Sequence, residues 1–168
     1  MFLSNLLRKL RRGPSHSQRR SNSAHLALGE YGERLAAKYL KRLGYRIVAI
    51  NFITPIGHSR SDRRITGEID IVAYDESTRP FTLAFIEVKT RSSDEIASPE
   101  AAVDIRKQRQ IIRAARVYRR ITEVSMEPFR YDVVSVVMNS SDKAEVTLRR
   151  GYFSEQRFHH SRWIQRGL

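Results

Sequence analysis

The chain has no cysteine, which removes thiolate zinc sites, thiol nucleophiles and disulfides from consideration. Its five histidines, His16, His25, His58, His159 and His160, are scattered, and none falls at a metal-ligand spacing on an expected element, so a zinc enzyme is not expected. No stretch approaches the roughly eighteen consecutive apolar residues of a membrane span. The opening segment from Met1 to Arg12 is not a signal peptide in type, because its apolar run is short and its charges follow that run rather than precede it. With these features missing, a cytoplasmic location is the simplest expectation.

Acidic residues are also scarce. The 168 residues carry 31 Lys and Arg against 18 Asp and Glu, a formal net charge of +13, and such a balance invites a polyanionic partner, nucleic acid before anionic membrane. Much of the excess sits at the ends. Residues 1 to 20 hold six bases and no acid, residues 154 to 168 hold three bases and one acid, and residues 21 to 153 hold 22 bases against 17 acids. The expected organisation is a basic arm over 1–22, a domain over 23–153 and a tail over 154–168. Gly13 to Gln18 reads as a linker, and a length of 168 residues suits one domain with a real core.

What is present in quantity is a pair of apolar strands that carry charges. Ile69-Asp70-Ile71-Val72-Ala73 and Leu83-Ala84-Phe85-Ile86-Glu87-Val88 read as buried central strands, with a turn around Asp75 to Pro80 between them. Successive strand residues face opposite ways, so Glu87 and Lys89 share a face, and so do Glu68 and Asp70. Paired as a hairpin, these strands would gather two or three carboxylates and one ammonium on one patch of sheet. Carboxylates with room for water and phosphate are the ligand set of Mg²⁺ or Mn²⁺, which points to metal-assisted phosphodiester hydrolysis. An ion-pair network across the sheet is the alternative, since burying an acid is costly unless it is paired or metal-bound.

Around that pair, a helix is expected from Ala24 to Leu43, with Leu28, Tyr31, Leu35, Tyr39 and Leu43 as its apolar stripe and Gly44 as its stop. A strand follows over Tyr45 to Asn51. Residues 52–66, containing Pro55, Gly57 and the bases His58, Arg60, Arg63 and Arg64, read as a long loop whose arginines either meet a phosphate backbone or are solvated. Ser98-Pro99-Glu100 signals a helix start, and residues from about Pro99 to Ile121 would make one helix or two abutting ones. Strands over Phe129 to Met138 and Glu145 to Leu148 complete the order. The expected fold class is α/β, a mixed sheet flanked by helices.

On a helical wheel this second helix separates into two stripes. Arg106, Arg109, Arg113, Arg116 and Arg120 recur at three- and four-residue intervals on one side, with Val103, Lys107, Ile111, Ala114 and Tyr118 on the other. An all-arginine face is either a phosphate rail or a solvated surface. Lys107, within the apolar stripe, either snorkels to the rim or points into a carboxylate-rich site.

Taken in order, these residues resemble a known family. Leu28-Gly29-Glu30-Tyr31-Gly32-Glu33, Ala36, Tyr39-Leu40, Gly44-Tyr45, Asn51, Gly67-Glu68-Ile69-Asp70, Phe85-Ile86-Glu87-Val88-Lys89 with Arg91, Lys107 and Arg130-Tyr131-Asp132-Val133-Val134 resemble the signature of the YraN-like uncharacterised bacterial family. That family is placed by fold in the restriction-endonuclease-like PD-(D/E)xK superfamily. The resemblance implies an αβββαβ core with a metal site where two strands splay. It implies that Asp70 and Glu87, with Glu68 beside them, hold Mg²⁺ or Mn²⁺, that Lys89 positions water or offsets charge, and that Glu33 is a supporting acid. Arg91, Lys107 and the arginine stripe would then meet nucleic acid. The segment between Asn51 and Gly67 is longer than the family pattern, and the basic arm is additional.

The expected function is therefore a metal-dependent endonuclease on nucleic acid, DNA ahead of RNA, with a homodimer natural if both strands of a duplex are cut. One alternative is a nucleic-acid-binding protein that keeps the fold without cutting. Another is a structural domain whose arm docks on a ribosome or membrane. No aromatic stacking platform or base-reading helix separates DNA from RNA.

Overall fold

A computed structural model describes residues 16–92, 103–139 and 143–158, with side chains described from residue 25. The elements in order are α1 (His16–Arg42), β1 (Tyr45–His58), β2 (Arg64–Asp75), β3 (Thr82–Ser92), α2 (Ile105–Ile121), β4 (Phe129–Met138) and β5 (Ala144–Phe153). The five strands form one sheet in sequence order, and all neighbours are antiparallel except β3 and β4. A parallel pair needs a crossover, and α2 supplies it. The order contains the expected αβββαβ core plus a fifth strand.

Each face of the sheet is covered by one helix. On the α2 side Ile69, Val72, Leu83, Phe85, Tyr131, Val133 and Phe153 pack against Val103, Ile111, Ile112, Ala114 and Ala115. On the α1 side Ile71, Ala73, Ala84, Ile86, Val88, Val134 and Val136 pack against Ala36, Leu40 and Tyr45. Burial on both faces explains why β3 and β4 read as unbroken apolar runs. Each large side chain sequestered in this way contributes about 1.5–3 kcal/mol.

Several elements differ from expectation for local reasons. α1 starts at His16, inside the expected linker. Its buried line is Gly32, Ala36 and Leu40, whereas Tyr31 is exposed and Leu35 and Tyr39 are half-buried beside it. Small residues win because the helix lies very close to β3: a Cβ on Gly32 would sit 1.8 Å from Thr90 Oγ1. The helix does end at Gly44, which adopts φ 83°.

Residues 52–66 are not a long loop. β1 continues to His58, β2 begins at Arg64, and only Ser59 to Arg63 turn. Pro55 and Gly57 do not break β1, because it is an edge strand and a register shift absorbs both of them. α2 begins at Ile105, with Asp104 as its cap accepting from the Lys107 N–H at 2.8 Å. The expected start at Ser98 to Glu100 lies outside the described residues, as do residues 1–15 of the arm. β5 runs beyond Leu148 to Phe153. Among the described residues no helix is long and apolar enough to cross a membrane.

Candidate active site

β2 does not stay beside β3. Their ladder runs from Asp75↔Thr82 to Ile71↔Ile86 and stops, while β2 remains paired with β1 as far as Arg64 and β3 remains paired with β4 as far as Ser92. The first residues beyond the last pair are Asp70 and Glu87, which therefore stand at the mouth of a fork in the sheet. The β1–β2 ladder also skips a step there: Ile50 pairs with Ile71 and Phe52 with Ile69, and between them Asn51 takes φ 52° opposite Asp70. Ile69 and Val72 both enter the α2-side core although a regular pleat would turn them to opposite faces, so β2 twists sharply about Asp70.

Opening the fork frees backbone donors, and one of them is used at once. The Val88 N–H donates to Asp70 Oδ2 at 2.6 Å. Asp70 is 8% exposed and Glu87 2%. Lys89 Nζ lies 2.8 Å from Glu87 Oε1, and Lys107 Nζ, reaching in from α2, lies 3.1 Å from Oε2. Glu87 thus has an ammonium against each of its two oxygens.

The charges divide unequally between the two acids. Burial and then the charge of Glu87 push the Asp70 carboxyl up to about 7, with Glu33 adding to the rise and the Val88 bond and Lys107 opposing it. Both ammoniums lie against Glu87 and neither forms an ion pair with Asp70. Burial works against the charge on Lys107, but Glu87 and Asp70 outweigh it and hold the ammonium above its usual range, with Glu68 contributing. Lys107 thus reaches this centre from α2, while Glu33 on α1 adds to the rise at Asp70.

The remaining expected residues lie around this centre. Glu33 is half-buried on α1 and lines a cleft of about 400 Å³ with Glu30, Arg34, Lys38, Ile50 and Asn51. Glu68 is exposed on β2, and Arg91 is half-buried near the end of β3. Among the described residues no three carboxylates or histidines converge as a metal cluster, so the fork offers two protein acids. Arg106, Arg109, Arg113, Arg116 and Arg120 all lie on the exposed side of α2. Arg116 is committed to Glu155 at 2.5 Å, and Arg109 stacks over the Phe158 ring at 5.3 Å.

Sequence reasoning missed a second charged cluster, at the opposite end of the β2–β3 ladder. Arg130 on β4 binds Asp75 at 2.5 Å and both oxygens of Asp132 at 3.0 Å, while Tyr45 and Arg150 close the ring. Gly151 N–H donates to Asp132 Oδ1 at 2.9 Å. Burial would raise Asp75, but two bonds from Ser77 together with Arg130 bring it down to about 2. The signal was available in Arg130 and Asp132, two residues apart at the start of a buried strand. Asp75 and Asp132 are fully buried and internally satisfied, which is the pattern of a structural network.

Fold and site together define a mixed α/β domain with a lysine-flanked carboxylate pair at a strand fork. The chain belongs to the uncharacterised protein family UPF0102, the YraN-like family, whose sequence model matches residues 32–136 and so spans α1 to β4. A UPF0102 protein of Solibacter usitatus is 43% identical over 117 residues, covering 70% of this chain and 80% of the relative. UPF0102 proteins of Chlorobium limicola and Koribacter versatilis are 39% and 40% identical, covering 71% and 77% of this chain and 82% and 80% of theirs.

Proposed function

We propose that this chain is a metal-dependent endonuclease of the restriction-endonuclease-like type, hydrolysing phosphodiester bonds in nucleic acid, with DNA preferred to RNA. The observation that carries this reading is the fork itself: two buried acids are held at the point where the sheet opens, Asp70 pushed up to about 7 by burial and by Glu87, which stands beside it between two lysines. This arrangement fits a divalent cation, which would favour ionised Asp70 and be shared with Glu87. Asp70 and Glu87 would hold Mg²⁺ or Mn²⁺, with Glu68 the nearest further acid along β2. When bound, such a cation supplies charge neutralisation at the phosphoryl oxygens and a nucleophile deprotonated near neutral pH.

The chain's own residues divide the remaining work. Lys89, one-third exposed beside Glu87, faces the mouth of the fork, where an ammonium can orient the attacking water or offset charge developing on the phosphate. Lys107 fixes Glu87 from the other side. Glu33 is the supporting acid from α1, and Arg91 with the free part of the α2 stripe offers phosphate contacts. Cutting both strands of a duplex would call for two copies of the chain.

A second reading, a nucleic-acid-binding protein that does not cut, draws on the two lysines. Lys89 and Lys107 both stand against Glu87, so the cluster holds two cationic side chains beside its two acids with no metal ion added. The two readings separate on labelled single-stranded, duplex, flap and four-way-junction DNA and on RNA, incubated with Mg²⁺ or Mn²⁺. Cutting that is lost in both Asp70→Ala and Glu87→Ala supports the endonuclease. Binding with no cutting by the wild type supports the second reading.

A further inference from the structure

Beyond the fork, β1 and β2 leave the sheet as a pair. From Phe52↔Ile69 to His58↔Arg64 they are bonded to each other and not to β3, which makes a two-stranded ribbon. Its β2 strand has six residues past Asp70, roughly 20 Å at the usual rise per residue. The root of the ribbon is fixed. A Cβ on Gly67 would meet Ile56 Cγ2 at 2.9 Å, Ala114 Cβ at 3.1 Å and Gln110 O at 3.1 Å, so backbone lies directly against α2 at Gln110 and Ala114. Thr54 is buried there, and Ile56 joins the α2-side core.

The tip is exposed and ordered by Ser59. Its N–H donates to Arg63 O at 2.8 Å, its carbonyl accepts from the Asp62 N–H at 3.0 Å, and its hydroxyl accepts from the Arg63 N–H at 3.0 Å. Around this turn stand His58, Arg60, Arg63 and Arg64, all exposed, against the single acid Asp62. Among the described residues none of the three arginines makes an ion pair. The ribbon is therefore a stiff projection with unspent guanidinium groups at its end, rooted on the helix that carries the arginine stripe.

The geometry points to B-form duplex DNA as the partner of this ribbon, with the tip seated in the major groove and Arg60, Arg63 and Arg64 on the flanking phosphates. This inference rests on the nucleic-acid reading above and adds the form of the substrate. A B-form major groove is about 12 Å wide and admits a two-stranded ribbon, whereas the A-form major groove of duplex RNA is too narrow and deep for one. A single strand has no groove to fill. The ribbon thus selects DNA over RNA by shape, and its arginines supply salt-dependent affinity.

The test is fluorescence anisotropy with a labelled DNA duplex, the matching RNA duplex and the single strand. Binding is measured in Ca²⁺, at salt from about 50 to 200 mM, for the wild type, the Arg60→Ala/Arg63→Ala/Arg64→Ala variant and the corresponding triple Lys variant. The wild type is expected to prefer duplex DNA. The Ala variant is expected to bind it at least tenfold more weakly with a salt slope lower by about 3, while the Lys variant keeps the slope. Thermal melts check that the substitutions leave the fold intact. An Ala variant that binds all three ligands like the wild type overturns the inference, and so does a wild type without DNA preference. Because binding is read without cleavage, the two claims fail separately: cutting with an unneeded ribbon sinks only the ribbon, and ribbon-dependent binding without cutting sinks only the nuclease.

Discussion

Replacing Asp70 with Asn should stabilise this protein above neutral pH, the opposite of what removing a buried, hydrogen-bonded acid usually does. Burial and Glu87 raise the carboxyl from 3.8 to about 7. The folded chain therefore keeps a proton that the unfolded chain releases near pH 4. Stability from this group is greatest below about pH 4, falls as pH rises to about 7 and is level beyond, a total on the order of 4 kcal/mol at about 1.36 kcal/mol per unit. Asparagine cannot ionise and escapes that loss. It gives up part of the bond from Val88 N–H, worth about 1 kcal/mol. The net gain is about 2–3 kcal/mol near pH 8, or roughly 5–10 °C in Tm for a chain of this size. The assay is thermal melting of both proteins from about pH 5 to pH 8.5 in EDTA. Asp132 is also raised by burial and slopes the same way, so the difference between the two proteins isolates Asp70. Adding Mg²⁺ should raise the wild-type Tm near pH 8 and leave Asp70→Asn unmoved. A wild type whose stability is flat between pH 5 and 8, or an Asp70→Asn protein less stable at pH 8, would refute the reasoning.

Arg130→Ala should cost about 3–5 kcal/mol in urea denaturation, because it strands the buried Asp75 and Asp132. Asp75 is held down to about 2, so its stabilisation is present above about pH 4 and lost as pH falls toward 2; the variant should show a shallower acid limb. Gly32→Ala should destabilise by about 1–3 kcal/mol despite the better helix former, since the new Cβ meets Thr90, and Thr90→Ala should restore part of the loss. On the α2 stripe, Arg113→Ala should lower the salt slope of nucleic-acid binding by about 1, whereas Arg116→Ala, already engaged by Glu155, should change it little.

The central strands and Phe129–Met138 were legible because burial on both faces leaves an apolar run that nothing else in the chain imitates. The acid and lysine pattern was legible for the same reason: Asp70, Glu87 and Lys89 interrupt those runs. What could not be read depended on tertiary neighbours. Pro55 and Gly57 look like breakers until β1 is known to be an edge strand, where a missing N–H costs nothing. The large residues Tyr31, Leu35 and Tyr39 suggested the buried stripe of α1, but close approach to Thr90 selected Gly32, Ala36 and Leu40. Lys107 carried two possible directions, and only the packing of α2 over the fork brings its ammonium to Glu87. The partnership of Asp75, Arg130 and Asp132 spans more than fifty residues of chain and leaves only a local trace in Arg130 and Asp132.

The claim on which the rest depends is that Asp70 and Glu87 together hold a divalent cation, and Mn²⁺ binding followed by electron paramagnetic resonance tests it without any substrate. The wild type should bind Mn²⁺ near neutral pH in competition with Mg²⁺, and Asp70→Asn and Glu87→Gln should each lose that binding while remaining folded. Equal Mn²⁺ affinity in all three proteins, or none in the wild type, would contradict it.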